Sequence, residues 1–407
     1  MKLLLINPTH PSTPHISAVR VWRFAEELAK QGHQVVLLCA APEGEQATDL
    51  TEIARHDWRR PWVLACDSGR TGWLDKNRLP LLARKAVTGW RMLWHGGDLG
   101  GWVKNAVDTV RQLGTFRPAV IWATFGMMEA VFVARRIARE ARCPWVLDIK
   151  DNWELYVPRR LQRLMVARTR GWAALTANSC FTQEKARIWQ RGDATVIYSG
   201  VDEAFFASTQ RDRDDRDEFR INLVGSLYFG DRLDAFLTGI KQWAAGLTPA
   251  ERSRVRLCYL GGDLRLFAEA TGRVDTGIAV EALGYRPVVE LAQQCRDAAV
   301  NAYIANPNTF HHKLLELLAC RRPVLAFPSE TEESWELARR VAGDLRTPAT
   351  ADEVQAELAQ LHEQWREGAA QFADHAAVDA YSWPRQAVIL DQVLQQTAGR
   401  GNPRDDS

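Results

Sequence analysis

Short apolar runs alternate with amphipathic stretches along this chain, beginning with LLLINP at residues 3–8. The next segment, VRVWRFAEELAKQG (19–32), carries apolar residues at Val21, Phe24, Ala25 and Leu28 and ends on a glycine, the spacing and C-cap of a helix. His33 then leads into QVVLLCA, a second buried-strand pattern. Strand, helix and strand within about forty residues predict a right-handed βαβ unit, the seed of a parallel sheet. The rhythm recurs in AVIWATF (119–125), a helix over Met128–Arg142, PWVLDIKDNW (144–153), AALTANS (173–179) and TVIYSG (195–200). The first half therefore reads as a doubly wound domain.

A polar stretch, ASTQRDRDDRDEF (207–219), interrupts the pattern and is expected to be a solvated charged linker. Alternation then resumes with RINLVGS (220–226), a helix over Asp231–Trp243, RLCYLGG (256–262), AVEALGY (279–285), a helix over Val288–Arg296, AAVNAYI (298–304), a helix over His311–Ala319 and PVLAFP (323–328). Two Rossmann-like α/β domains in tandem follow, over residues 1–206 and 220–381. The segment SWPRQAVILDQVLQQ places Ala387, Leu390, Val393 and Leu394 on one face. It is expected to form a terminal helix over 382–398, followed by a disordered tail at 399–407.

The stretch from Leu79 to Leu113 mixes Arg84, Lys85 and Arg91 with Leu, Val and three Trp. A basic helix with an aromatic apolar face can lie on a membrane surface. It can also pack on a sheet with its arginines in water, and the interruptions at Gly96, Gly97, Gly100 and Gly101 favour packing.

Composition narrows the partners. With 52 basic and 50 acidic residues among 407, the net charge of +2 gives no overall field for sequence-independent nucleic-acid binding. The seven cysteines include no CxxC pair, so neither a zinc ribbon nor a dithiol redox site is expected, and a reduced cytoplasmic compartment fits. The apolar run Leu3–Ile6 is too short for a secretion signal, and no stretch approaches the roughly twenty apolar residues of a membrane span. The 16 Trp are spread along the chain and read mainly as core.

In open parallel sheets ligands bind beyond the carboxyl ends of strands, so the residues just after each strand are the ones to inspect. In the second domain Gly225-Ser226 followed by Arg232 offers close backbone approach, a helix start and a cation, a set that suits a phosphate. Tyr285 and Arg286, after Gly284, could stack on a base or form an ordinary turn before Pro287. Lys313 and Glu316 sit three apart in the first turn of a helix. A lysine there opposes the helix dipole, so a compensating anion is expected: either Glu316 itself or a bound diphosphate. In the second case Glu316 would accept from a diol.

These residues lie in a run, His312-Lys313-Leu314-Leu315-Glu316-Leu317-Leu318-Ala319-Cys320-Arg321-Arg322-Pro323-Val324, that resembles the GKLFEYLAAGRPVLA motif of family 4 glycosyltransferases of the GT-B fold. KQGHQVVLL, PWVLDIKDNW, ANSCFTQEK, VIYSGVD and LVGSLYFGDR are similar to further motifs of that family, in the same order, so the resemblance covers nearly the whole chain. It implies two facing Rossmann-like domains with a C-terminal helix crossing back to the first. It also implies a nucleotide-diphosphate sugar on the second domain, an acceptor on the first and an active site in the cleft.

The implied activity is retaining, metal-independent hexosyl (or related) transfer to a glycan, lipid-linked or glycolipid acceptor in cell-envelope polysaccharide synthesis. No resident cofactor is implied, and contact with the inner face of the membrane would be peripheral. By the resemblance Lys313 meets the phosphates, Glu316 holds the ribose hydroxyls and Arg232 neutralises the leaving diphosphate. Gly225, Ser226, Tyr285, Arg286, His312, Leu314 and Leu315 complete the donor side. Asp151 is the candidate to orient the acceptor hydroxyl, with a capping role as its alternative, and Arg20, Asp148 and Trp153 are placed on the acceptor side.

The chain departs from the family at Asn308, where the motif has a glutamate; Asn308 stays a donor-side candidate, since its amide can still hydrogen-bond sugar hydroxyls, with His311 or His312 as the alternative. No glycine occurs from Thr9 to Val19, which leaves Arg20 as the group to reach a diphosphate from the first domain. Two other functions fit the same architecture: a sugar-nucleotide epimerase, and a non-catalytic nucleotide-sugar-binding scaffold.

Overall fold

The computed structural model describes residues 1–13, 15–69, 80–114, 116–125, 128–152, 154, 157, 159–206, 218–368 and 375–400. The chain divides into two compact units, one formed by residues 1–200 together with the segment from Trp383 onward, the other by residues 201–382.

The first unit is built on seven parallel strands: β1 (Lys2–Ile6), β2 (Gln34–Ala40), β3 (Trp62–Cys66), β4 (Val120–Phe125), β5 (Trp145–Ile149), β6 (Ala174–Ala177) and β7 (Ala194–Val196), in the order β3-β2-β1-β4-β5-β6-β7. Side chains alternate along β1, and each face has its own core. Leu4 and Ile6 pack with Val36, Leu38, Leu64 and the helices Gly100–Gln112 and Met128–Ala141. Leu3 and Leu5 pack with Val35, Leu37 and Trp122, and are covered by Val21, Phe24 and Leu28 of the helix Ile16–Lys30. That second face also takes Trp383, Ala387, Leu390 and Leu394 of the last helix, Trp383–Gly399.

Within the segment 79–113 the described residues form two helices with different environments. Gly100–Gln112 buries Trp102, Val103, Ala106, Val107 and Val110, as packing requires. Leu81–His95 leaves Trp90 and Trp94 exposed.

The second unit has six parallel strands: β8 (Phe219–Val224), β9 (Val255–Leu260), β10 (Ala279–Ala282), β11 (Val300–Ile304), β12 (Val324–Phe327) and β13 (Leu345–Arg346), in the order β10-β9-β8-β11-β12-β13. Strand order reverses between β8 and β11, the topological switch point at which α/β sheets open a crevice.

Two boundaries differ from the sequence reading. The helix Glu203–Phe206 belongs with the second unit, because Phe205 is buried and Arg296 Nη1 donates to the Ala204 carbonyl. Phe219, expected in the linker, is the buried first residue of β8. The rest of that linker, residues 207–217, lies outside the described residues, as does 401–407 of the tail.

Several elements carried too weak a pattern to be read: β3, the short helix Gln162–Thr169, and the helices Glu332–Arg340 and Ala351–Arg366.

Candidate functional site

The carboxyl ends of β8, β11 and β12 converge at the switch point of the second unit. Gly225, directly after β8, has φ +85°, a backbone conformation that side-chain-bearing residues rarely adopt. A Cβ on it would lie 2.4 Å from Lys313 Nζ. The glycine therefore makes room for the lysine. Lys313 donates from Nζ to the Val224 carbonyl at 3.0 Å, and its ammonium stands 5.3 Å from the Tyr303 ring and 5.8 Å from that of Tyr228.

Burial pushes the Lys313 ammonium down to about 8, although the carboxylates of Glu316, Glu330 and Asp263 pull the other way. Glu316, one turn along the same helix, is pushed up to about 7 by burial and by Asp202, against the pull of Lys313. No salt bridge or hydrogen bond joins Lys313 to Glu316, and the Glu316 carboxyl makes no hydrogen bond to any described residue. Of the two anions the sequence leaves open for Lys313, the internal one is not engaged. A cation and a carboxyl, each shifted toward neutrality and spaced by one helical turn, are ready to be met by a ligand.

Arg232, in the first turn of the helix Gly230–Ala245, donates from Nη1 to the Ala305 carbonyl at 2.8 Å and stacks over Phe229 at 4.5 Å. With Ala305, Asn306, Pro307 and the loop Pro328–Thr331 it lines a hollow of about 190 Å³. The approach loop after β8 is pinned from behind: Asp263 Oδ2 accepts from the Leu227 N–H at 2.9 Å, and the Tyr259 hydroxyl donates to the Gly225 carbonyl at 3.0 Å. Ser226 is exposed on that loop.

A buried network that the sequence reading missed holds the far side of the hollow. Glu330 accepts from the Tyr303 hydroxyl (2.7 Å), from His311 Nδ1 (2.6 Å), from the Ser334 hydroxyl (2.9 Å) and from the Thr331 N–H (2.9 Å). Burial raises its carboxyl, but the hydrogen bonds from His311, Tyr303 and Thr331 win, and it lies below the usual carboxylate range. His311 Nε2 accepts from the Asn306 N–H at 2.9 Å, which assigns the ring proton to Nδ1. This network fixes the loop between β11 and the helix Lys313–Ala319. Glu330 lies three residues beyond β12, the neighbour of the switch-point strand, and only its position after a strand marks it locally; its partners Tyr303 and His311 come to it through the fold.

The remaining donor-side candidates are distributed unevenly. Leu314 and Leu315 are fully buried and their N–H groups bond back to the His311 and His312 carbonyls, so they anchor the helix and present no polar group. The His312 ring lies edge-on to Phe310 at 5.3 Å. Asn308 is exposed, its N–H on Asn306 Oδ1 at 3.0 Å. Tyr285 is exposed and Arg286 reaches Glu290 at 3.7 Å, both beyond edge strand β10, two strands away from β8.

In the first unit the structure corrects two acceptor-side assignments. Arg20 and Asp148 are fully buried against each other, with Arg20 Nε on Asp148 Oδ2 at 3.2 Å and Nη2 on Oδ1 at 3.1 Å. Ser199 accepts from Arg20, Thr176 donates to Asp148, and Phe24 lies under the guanidinium at 5.0 Å. Both are spent on the core and neither reaches a ligand. Trp102 is fully buried, as the reading of the tryptophans mainly as core expects. Asp151 does stand at a strand end, after β5, where the buried Lys150 pairs with it at 3.1 Å. His15 faces the same pair, and its imidazole is lowered by burial and by Lys150 against the pull of Asp151. Trp153 lies outside the described residues.

No protein-family model matches the chain, and no curated protein matches it in sequence. Solved structures match it in fold. HepE of Anabaena, in complex with UDP and glucose, has a TM-score of 0.66 at 16% identity over 97% of this chain and 100% of its own. The sucrose-phosphate synthase of Thermosynechococcus elongatus gives 0.70 at 14% identity, over 98% and 100%. The UDP-GlcNAc 2-epimerase of Neisseria meningitidis, bound to UDP-GlcNAc, gives 0.55 at 12%, over 97% and 100%. The chain thus has the two-domain α/β GT-B fold. At such identities the likeness is one of fold, and function rests on the site.

Proposed function

We propose that the protein is a retaining glycosyltransferase that moves a hexosyl or related group from a nucleotide-diphosphate sugar to a glycan, lipid-linked or glycolipid acceptor in cell-envelope polysaccharide synthesis. The observation that carries this reading is the arrangement of Lys313 under Gly225 at the switch point, with Arg232 alongside and the Glu316 carboxyl unengaged one turn away.

The chemistry follows from charge. As the glycosidic bond breaks, negative charge grows on the diphosphate, and fixed cations stabilise it most in the transition state. Lys313 and Arg232 supply that charge without a resident metal or cofactor, while Glu316 accepts from the ribose hydroxyls. Asp151, held by Lys150, orients the acceptor hydroxyl on the first unit. Retention of configuration is carried over from the family that the motif from His312 to Val324 resembles.

We place the reaction in the cytoplasm. All seven cysteines are free and only Cys180 is exposed, which accords with a reducing compartment. Among the described residues no helix is long and apolar enough to cross a membrane.

The test is release of nucleoside diphosphate from a panel of nucleotide sugars, with and without envelope glycolipid acceptors. Acceptor-dependent turnover that disappears in folded Glu316→Ala and Lys313→Ala variants is expected. Turnover that survives both substitutions contradicts the assignment. A second reading, a sugar-nucleotide epimerase, is favoured by the match to the Neisseria enzyme. It predicts an isomerised donor and no acceptor-dependent product.

A further inference from the structure

The first sheet has a switch point of its own: strand order reverses between β1 and β4, which opens a crevice at the carboxyl ends of its strands. The loop after β1 and the segment after β5 both run into it. Asn7, buried directly after β1, donates from Nδ2 to the Ser17 carbonyl at 2.9 Å and ties the start of the helix Ile16–Lys30 to the strand end. Further along that helix Arg20 holds Asp148 of β5 through hydrogen bonds of 3.1 and 3.2 Å. This buried pair, spent on the core, fixes the helix on β5. It thereby sets His15, five residues before Arg20, near Asp151, three residues after Asp148, and the imidazole feels the charges of both Lys150 and Asp151.

His15 caps the helix, its Nδ1 accepting the Ser17 N–H at 3.1 Å. Burial and Lys150 hold the imidazole below its ordinary value, against the pull of Asp151, so the ring is neutral at pH 7. With Nδ1 committed as an acceptor, the ring proton is on Nε2. The residue is exposed, and Nε2–H has no partner among the described residues. Asp151 offers the complementary group. Lys150, its side chain 3% exposed, reaches both carboxylate oxygens of Asp151 at 3.3 and 3.1 Å, while the carboxylate keeps 24% exposure. The ion pair carries no net charge.

We infer that the acceptor is a saccharide held at this crevice through two adjacent hydroxyls, one accepting from His15 Nε2 and its neighbour donating to Asp151. The inference rests on the transferase reading and narrows it. A neutral donor beside a carboxylate matches a diol, in which each hydroxyl can both donate and accept. It does not match a lipid monophosphate, whose charge would meet the Asp151 carboxylate while Lys150, the cation beside it, is already engaged. Asp151 orients the reacting hydroxyl, and His15 is a positioning residue that fixes the neighbouring one.

The experiment is steady-state transfer by the full chain, from the nucleotide sugar that turns over, to a panel of methyl glycosides and their monodeoxy analogues, with a short polyprenyl monophosphate as the charged alternative. Transfer to at least one methyl glycoside and none to the monophosphate is expected. His15→Asn keeps a side-chain oxygen to cap the Ser17 N–H but stops short of Nε2, so its thermal midpoint and nucleoside diphosphate affinity should stay at the wild-type level. Its KM for the glycoside should rise about tenfold with kcat little changed, as loss of one hydrogen bond to bound substrate requires. The monodeoxy analogue lacking the hydroxyl that His15 meets should cost the wild type a similar factor and the variant nothing further. A wild-type KM in His15→Asn, or transfer to the monophosphate, overturns the inference. So does failure to glycosylate any methyl glycoside by a protein that still hydrolyses a nucleotide sugar, which would leave the transferase reading standing. A protein that neither transfers nor hydrolyses any donor overturns that reading and this inference with it.

Discussion

At the scale of single residues the site is held away from its own electrostatic optimum. The Glu316 carboxyl lies at about 7 in the fold against an ordinary value of 4.5, so folding disfavours its ionised form. Stability from this group is present at acid pH and is lost as pH rises through about 7. Glu316→Gln should therefore raise the unfolding free energy by about 1–3 kcal/mol at pH 8 and change little at pH 4, read by thermal or chemical denaturation. It should simultaneously lose nucleotide affinity.

Lys313 has the complementary dependence. Its ammonium gives up its proton near pH 8, so affinity for a nucleoside diphosphate should fall between pH 7 and pH 9, and the fall should vanish in Lys313→Arg, whose guanidinium keeps its charge over that range. Gly225→Ala places a methyl 2.4 Å from the ammonium on a backbone with φ +85°. Calorimetric titration should find affinity reduced by about tenfold or more, the loss expected when a charged hydrogen-bonding group is displaced. The Lys313–Glu316 spacing was legible in the sequence because a lysine in a first helical turn is electrostatically out of place. Glu330 was not, because its role comes from Tyr303 and His311, which reach it only in the fold.

At the scale of elements, legibility followed burial. Strands enclosed on both faces, such as β1, β2 and β4, form unbroken apolar runs and were read within a residue or two. The helix Glu332–Arg340 was not, because it buries only Ser334, Leu337 and Ala338 among charged neighbours. The misreading of Arg20 and Asp148 has a physical source as well: charged residues near strand ends suggest a ligand, and nothing local reveals that the two meet 128 residues apart. Breaking a buried pair leaves one charge uncompensated, so Arg20→Ala should destabilise the first unit by about 3–5 kcal/mol. Arg20→Met with Asp148→Leu should recover most of that loss. Denaturant titration of the single and double variants distinguishes this structural role from a ligand-binding one.

At the scale of the whole chain, the first unit is completed by residues almost two hundred positions downstream of its last strand. Trp383 packs edge-on to Phe24 at 5.3 Å, and Ala387, Leu390 and Leu394 cover Leu3, Leu5 and Trp122. His33 Nε2 pairs with Asp391 at 2.9 Å. A chain ending at Ser382 should expose that apolar face and lose cooperative unfolding of the first unit, with dye binding typical of exposed core.

The central claim is that the switch point of the second sheet holds a nucleoside diphosphate between Lys313, Arg232 and Glu316. Its most direct test is isothermal titration of the intact protein with UDP and the other nucleoside diphosphates, beside Lys313→Ala and Glu316→Ala variants shown to be folded. The account predicts one-site binding by the wild-type protein to at least one of these ligands and its loss in both variants. Binding that persists in the variants, or no binding of any nucleoside diphosphate to the wild-type chain, would contradict it.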